Sequence, residues 1–225
     1  MKARTEKQAV PAGREGWIGW DTYAAFYDWE NAQTVQRRDV AFWQRLAAAA
    51  QGDVLELGCG TGSLALALCA SAGHIHALDA SAEMLRIANR KKQEVGVTNV
   101  TFHQGTLEGS TLFEPQQFDC VWAYSFLHLI DDRPRTLRAV FDLLKPGGSF
   151  ISSNVSLGDS WIPYNALISV ARWLGKAPKV HIYDRATITR ELRDAGFTHI
   201  TERDVGAEKT IAFIVAQKPA LERSP

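Results

Sequence analysis

Cysteine is scarce in this chain of 225 residues: there are three, Cys59, Cys69 and Cys120. A small, odd number set in apolar or glycine-rich surroundings does not make a disulfide framework. It points to buried free thiols in a reducing compartment. Only Cys59, inside a glycine turn, invites a catalytic reading, and no histidine lies in that turn to activate a thiolate. Net charge is absent as well, with 25 basic residues against 25 acidic. A zero balance argues against a sequence-independent grip on nucleic acid, which needs a basic face, and although it leaves room for a local basic patch, no nucleic-acid partner is expected. No apolar run is long enough to span a membrane. Residues 1–16 are polar, without the apolar core of a signal peptide, and the cytoplasm is the expected location. The chain also has no internal repeat, no low-complexity linker and no carboxylate–histidine cluster spaced for a metal. No metal is therefore expected.

What remains is a chain that is 46% hydrophobic, with seven Trp and five Tyr. That composition suits one α/β domain with a sizeable core and a supply of aromatics for lining pockets. Residues 1–16 read as a disordered tail. Residues 17–217 read as the domain, and residues 218–225 as a second tail. In the domain, Trp17, Trp20, Tyr23, Phe26, Tyr27 and Trp29 recur at helical spacing. They predict an aromatic helix that packs on the core or caps a site. A second helix is predicted over 33–50, ending at Gly52.

From residue 54 strands and helices alternate. Strands are predicted at 54–57, 74–79, 100–103, 118–122 and 149–154, with helices after the first, second and fourth. The helix over 133–144 carries Pro134 in its first turn. Such alternation argues a parallel sheet with right-handed crossovers. The rhythm breaks over 155–184, a lid-like segment with Trp161, Tyr164, Trp173, His181 and Tyr183. A helix at 185–195 and strands at 198–205 and 209–217 close the chain. The last two strands have no helix between them, so one is expected to run antiparallel. The predicted fold is a single Rossmann-like α/β domain with a seven-stranded, mostly parallel sheet.

The first strand ends in Glu56-Leu57-Gly58-Cys59-Gly60-Thr61-Gly62 and runs straight into a helix. A glycine turn opening a helix is expected to aim free N–H groups at a ligand. Asp79 ends the second strand, 23 residues after Glu56, where an acid is placed to bind ribose hydroxyls. The ligand predicted is an adenosine derivative. The dinucleotide spacing G-x-G-x-x-G is not met, because Ser63 stands at its last position.

The stretch 56–62 resembles motif I of class I S-adenosylmethionine-dependent methyltransferases. Three later segments agree: Ala77-Leu78-Asp79-Ala80-Ser81-Ala82-Glu83-Met84-Leu85, Phe118-Asp119-Cys120-Val121 with Leu127-His128, and Leu144-Lys145-Pro146-Gly147-Gly148. The overlap runs from about residue 20 to 217, and the small-molecule branch containing quinone-biosynthesis (type 11) methyltransferases is the most similar. The resemblance implies S-adenosylmethionine as cofactor. It implies that Gly58, Cys59, Gly60 and Gly62 line the methionine part, and that Glu56 holds its ammonium directly or through water. Asp79 would take the ribose hydroxyls, Ala80 and Met84 the adenine face, and Gly105, Thr106 and Leu107 its edge. Tyr23, Ala123 and Tyr124 would complete the site. The family often has an acid where this chain has Thr106, so the adenine amino group is expected to find a weaker acceptor here.

The expected reaction is methyl transfer to a small, apolar or aromatic molecule by in-line attack on the sulfonium methyl. Candidate general bases are His128, His181, Tyr23 and Tyr183. Candidate substrate contacts are Trp20, Tyr27, His128, Trp161, Tyr164, Trp173 and Tyr183. Two readings compete: a nicotinamide-dependent oxidoreductase, and a non-catalytic protein that binds S-adenosylmethionine.

Overall fold

The computed structural model describes residues 24, 52–107, 112–155, 181, 183–203 and 211–221. Seven strands form one sheet: β1 (Asp53–Leu57), β2 (His74–Asp79), β3 (Val100–Gln104), β4 (Phe118–Tyr124), β5 (Leu144–Val155), β6 (Thr198–Arg203) and β7 (Ile211–Gln217). Their order is β3-β2-β1-β4-β5-β7-β6. All neighbours from β3 to β5 pair in parallel, and β7 runs antiparallel to both β5 and β6. This is the mostly parallel sheet with an antiparallel last strand that the sequence predicts. The strand order reverses between β1 and β4, and a crevice at such a switch point, outside the strands' carboxyl ends, is where open α/β sheets bind ligands.

Side chains alternate across each strand, so every buried strand feeds two cores. On one face Leu55, Leu57, Phe118 and Val121 pack with Leu137, Val140, Ile188 and Leu192. These helical residues belong to α3 (Arg133–Leu143) and α4 (Arg185–Asp194). On the other face Val54, Ile75, Ala77, Cys120 and Trp122 pack with Ala65, Leu68 and Leu85, contributed by α1 (Ser63–Leu68) and α2 (Ala82–Val95).

Local chemistry explains where the helices begin. Ser81 Oγ accepts from Met84 N–H at 3.1 Å to open α2, Asp132 accepts from Arg135 N–H at 3.1 Å to open α3, and Asp184 accepts from Thr187 N–H at 2.7 Å to open α4. Gly96 closes α2 in the left-handed conformation, φ +74°.

The structure differs from the sequence prediction in two places. The helix after the glycine turn is shorter than its alternating Leu and Ala suggest: α1 gives way to a 3₁₀ turn over Cys69–Ser71. The fifth strand begins at Leu144, not at Ser149. Phe118 pairs with Leu144 and Cys120 with Ser149, so Lys145 to Gly148 form a bulge inside the strand, with Gly147 at φ +80°. Lys145 Nζ holds this bulge to Asp119 Oδ2 at 2.8 Å.

The chain after β7 is docked on the fold. Lys218 Nζ donates to the carbonyls of Phe141 and Leu144, both at 2.7 Å, and its backbone N–H donates to Gly148 O at 2.9 Å. The three cysteines are free thiols, with Cys59 and Cys120 buried, as predicted. Among the described residues no helix is long and apolar enough to cross a membrane.

Candidate functional site

The glycine turn leaves β1 at Glu56 and enters α1 at Ser63. Gly58, Gly60 and Gly62 have φ of +66°, +53° and +73°, a region costly for residues with a Cβ. Space is also short. A Cβ on Gly58 would stand 2.5 Å from Cδ2 of Phe126, and one on Gly62 would stand 2.6 Å from Cζ of Phe102. These glycines therefore serve close packing of the turn against β3 and the end of β4 as well as approach to a ligand.

The expectation of free N–H groups in the turn is overturned. Gly58 and Cys59 N–H both donate to Leu78 O, at 2.8 and 3.1 Å, and Gly62 N–H donates to Cys59 O at 2.9 Å. Gly60 N–H donates to Asp79 Oδ2 at 2.8 Å. The turn has docked on the end of β2, and that strand's carbonyl and carboxylate take its donors. A turn whose donors are used internally has little left for a pyrophosphate. It suits a ligand that brings no phosphate to this place.

What the turn presents instead is acid. Asp79 accepts from Gly60 N–H on one oxygen and from Ser81 N–H on the other, at 2.9 Å. Glu56 is 3% exposed. Ala65 N–H donates to its carboxyl, and Oε2 is buried with no hydrogen-bond partner. Burial, then the charge of Asp79, push its pKa up to about 8. An orphaned buried carboxyl oxygen beside a ribose-type acid fits the ammonium end of S-adenosylmethionine, which would supply the missing donor and a compensating charge.

Around this centre the predicted residues are placed as follows. Cys59 is buried and its thiol is pushed well up by burial, then by Glu56 and Asp79, so it is no nucleophile. Ala80 is half-buried and follows Asp79 directly. Met84, 2% exposed, packs with Ile87 and with Ala24. Ala24 is helical, and the rest of the predicted N-terminal helix lies outside the described residues. Gly105 N–H donates to Asp79 O at 2.9 Å. Thr106 is exposed and Leu107 half-buried. Ala123 is buried and Tyr124 half-buried at the end of β4.

Two of the remaining predicted residues, His128 and His181, meet after β4. His128 lies in a single 3₁₀ turn, Leu127–Leu129. Its carbonyl accepts from His181 N–H at 2.7 Å, and His181 Nε2 pairs with Asp131 Oδ1 at 2.6 Å. Nδ1 of His128 is buried without a partner, and burial lowers the ring's pKa to about 4. Tyr183 is built differently. It sits in the core at 5% exposure, under the guanidinium of Arg133 at 4.2 Å. Burial pushes its hydroxyl up, which does not suit a base. Tyr23, Trp20, Tyr27, Trp161, Tyr164 and Trp173 lie outside the described residues, as do the other aromatics of 17–29.

Three residues of the site went unread in the sequence. Phe126 packs on Gly58. Ser125, between Phe126 and β4, holds φ +47° and donates its N–H to Ser153 O at 2.9 Å. Lys91, from α2, donates to Ser63 Oγ at 2.9 Å and Thr61 Oγ1 at 3.3 Å, bracing the far end of the turn. Sequence carries no local signal for any of these, because each depends on a partner 28 or more residues away.

A family profile described as a methyltransferase domain matches residues 54–148. A ubiquinone biosynthesis O-methyltransferase of Serratia proteamaculans is 34% identical over 113 residues, which are 50% of this chain and 46% of that protein. The chain thus spans about half the length of the curated relatives it matches. Among solved structures, a Haemonchus contortus phospholethanolamine N-methyltransferase 2, in complex with phosphomonomethylethanolamine and S-adenosylhomocysteine, superposes with TM-score 0.72. It is 18% identical and covers 88% of this chain and 58% of its own. The [4+2]-cyclase SpnF superposes with TM-score 0.64 at 21% identity, covering 79% of this chain and 80% of its own. These structures share the fold, and the fold by itself does not choose a reaction. The choice is made by the profile match together with the acid pair at the switch point: residues 54–148 are a class I S-adenosylmethionine-dependent methyltransferase domain.

Proposed function

We propose that the protein transfers a methyl group from S-adenosylmethionine to a small molecule with an apolar or aromatic body, and that the acceptor is a hydroxyl oxygen. The observation that carries the cofactor half is the turn itself. Four of its N–H groups, those of Gly58, Cys59, Gly60 and Gly62, are used within the protein, while two acids, Glu56 and Asp79, stand at the carboxyl ends of β1 and β2 beside it. This favours a ligand bearing an ammonium and ribose hydroxyls over one bearing a pyrophosphate, and so disfavours the nicotinamide reading. The hydroxyl half is supported by the sequence relatives, which are O-methyltransferases of ubiquinone biosynthesis.

When bound, the cofactor supplies an activated methyl on a sulfonium. The chain's own work is to orient and to exclude water. Asp79 fixes the ribose, and Glu56 fixes the methionine end. Phe126, just after β4, has its ring against Gly58 of the turn. His128 stays uncharged at neutral pH because burial disfavours its imidazolium, so its ring can orient the acceptor's hydroxyl by accepting a hydrogen bond, while the proton passes to solvent as the bond to the methyl forms. Its carbonyl, held by His181 N–H, keeps the 3₁₀ turn in place.

Calorimetry with S-adenosylhomocysteine and with NADH tests the cofactor. Binding of the first alone is expected, and binding of NADH alone overturns the reading. A mass-spectrometric turnover screen across phenols, amines, thiols and carboxylates tests the acceptor. Methylation of phenols is expected, and turnover confined to amines or thiols refutes the hydroxyl assignment. Binding without any turnover across the screen would favour the non-catalytic alternative.

A further inference from the structure

We propose that Glu56 is a neutral carboxylic acid in the cofactor-free protein and releases its proton to solvent when the cradle fills, so that cofactor capture is coupled to deprotonation of this one side chain. The inference rests on the reading of Glu56 and Asp79 as the S-adenosylmethionine cradle, and it concerns how that cradle is regulated.

In register on β1, Glu56 stands between Ala77 of β2 and Trp122 of β4. From α1 it receives one donor, Ala65 N–H; the turn contributes the Cys59 thiol, and β2 contributes the negative charge of Asp79. Oε2 is buried and has no partner. Among the described residues, the influences on this carboxyl are burial, Asp79 and Ala65; no cation is among them. Ionising Glu56 here would place a second negative charge beside that of Asp79, out of water, with a single hydrogen bond to hold it. Keeping the proton costs one unpaired O–H, the smaller penalty.

An incoming ammonium reverses the balance. It provides the donor that Oε2 lacks and a positive charge that offsets Asp79 as well as Glu56. The O–H bond of the acid then breaks, the electron pair stays on the carboxylate, and the proton leaves to solvent. Asp79 has two backbone donors of its own and keeps its role unchanged. The two acids thus divide the work: Asp79 is held in place before the ligand arrives, and Glu56 becomes charged only with the ligand present.

The consequence is a pH-dependent affinity. With the pKa at about 8 in the free protein, roughly nine-tenths of Glu56 is protonated at pH 7. Affinity for S-adenosylhomocysteine should rise roughly tenfold per pH unit between pH 6 and 7.5, where the ligand's amine remains charged.

Calorimetric titration of the full chain with S-adenosylhomocysteine at pH 7, in phosphate and in Tris, reads the protons released from the difference in heat. Wild type should release close to one proton, and Glu56→Gln should release none and bind with a flat pH profile. An infrared difference spectrum of the wild-type protein gives a second measurement that needs no variant: the protonated-carboxyl stretch should disappear on binding. Binding with no proton release and no loss of that band overturns this proposal and leaves the cofactor reading standing. Absence of binding at any pH overturns the cofactor reading, and this proposal with it.

Discussion

Replacing Gly62 by alanine tests whether the third glycine of the turn is there for the fold or for the ligand. Its φ of +73° places any Cβ in the left-handed region, at a cost of about 1 kcal/mol. The new methyl would also stand 2.6 and 2.8 Å from Cζ and Cε1 of Phe102 and 3.1 Å from Cβ of Ala88. Phe102 comes from β3 and Ala88 from α2, and neither element can retreat without disturbing the α2–β3 packing, so the overlap adds roughly 1–3 kcal/mol. The total, about 2–4 kcal/mol, corresponds to a fall in Tm of roughly 5–15 °C for a domain of this size. Thermal and urea unfolding without ligand read this directly. The steric share is separable, because Phe102→Leu removes both offending ring atoms. A double-mutant cycle of Gly62→Ala with Phe102→Leu should show a favourable coupling of at least about 1 kcal/mol. A loss below 1 kcal/mol in the single variant, or additivity in the cycle, would refute the packing argument and return Gly62 to a purely ligand-facing role.

Other outcomes follow from the same geometry. Asp79→Asn keeps one acceptor oxygen and turns an amide donor toward Gly60 or Ser81 N–H, so S-adenosylhomocysteine should bind roughly ten- to a hundredfold more weakly by calorimetry; unchanged affinity would remove Asp79 from the ribose site. Thr106 is exposed, so Thr106→Asp meets no packing conflict and should leave cofactor affinity equal or tighter, and a large loss would count against its place at the adenine edge. His128 has a pKa near 4 in the fold against an ordinary 6.5. The stability it contributes is full above pH 6.5 and is lost as pH falls toward 4, so His128→Gln should flatten that acid limb of the Tm profile; a parallel profile would contradict the burial of its imidazole.

The parts of the molecule that could be read in advance are those written in short range. Glu56 and Asp79 close apolar runs just before turns, and Ser81, Asp132 and Asp184 announce their helices a few residues ahead. Gly58 to Gly62 declare a tight turn on their own. The parts that could not be read belong to pairs distant in the chain. The turn's N–H groups close on Leu78 and Asp79, about twenty residues on, which converts an apparent donor cradle into one that offers acids. Pro146-Gly147-Gly148 reads as a loop, yet β4 draws it into β5 as a bulge. Tyr183 and His181 stand two residues apart, but one is folded into the core beneath Arg133 and the other is fixed to Asp131.

The position of β7 bears on how the sheet is completed. β6 precedes β7 in the chain, yet β7 lies between β5 and β6. β6 therefore cannot add to the growing sheet in the order in which it emerges from synthesis. Until Ile211 to Gln217 arrive, β5 and β6 each keep an open edge, the kind of surface on which a second unfinished chain can pair. When β7 slots in, Lys218 follows at once and ties its ammonium to the carbonyls of Phe141 and Leu144, at the junction of α3 and β5. β7, made after β6, is thus the wedge that closes this part of the sheet, with Lys218 behind it as the catch on an earlier helix, and a ribosome pausing before residue 211 would leave the β5 flank unsealed.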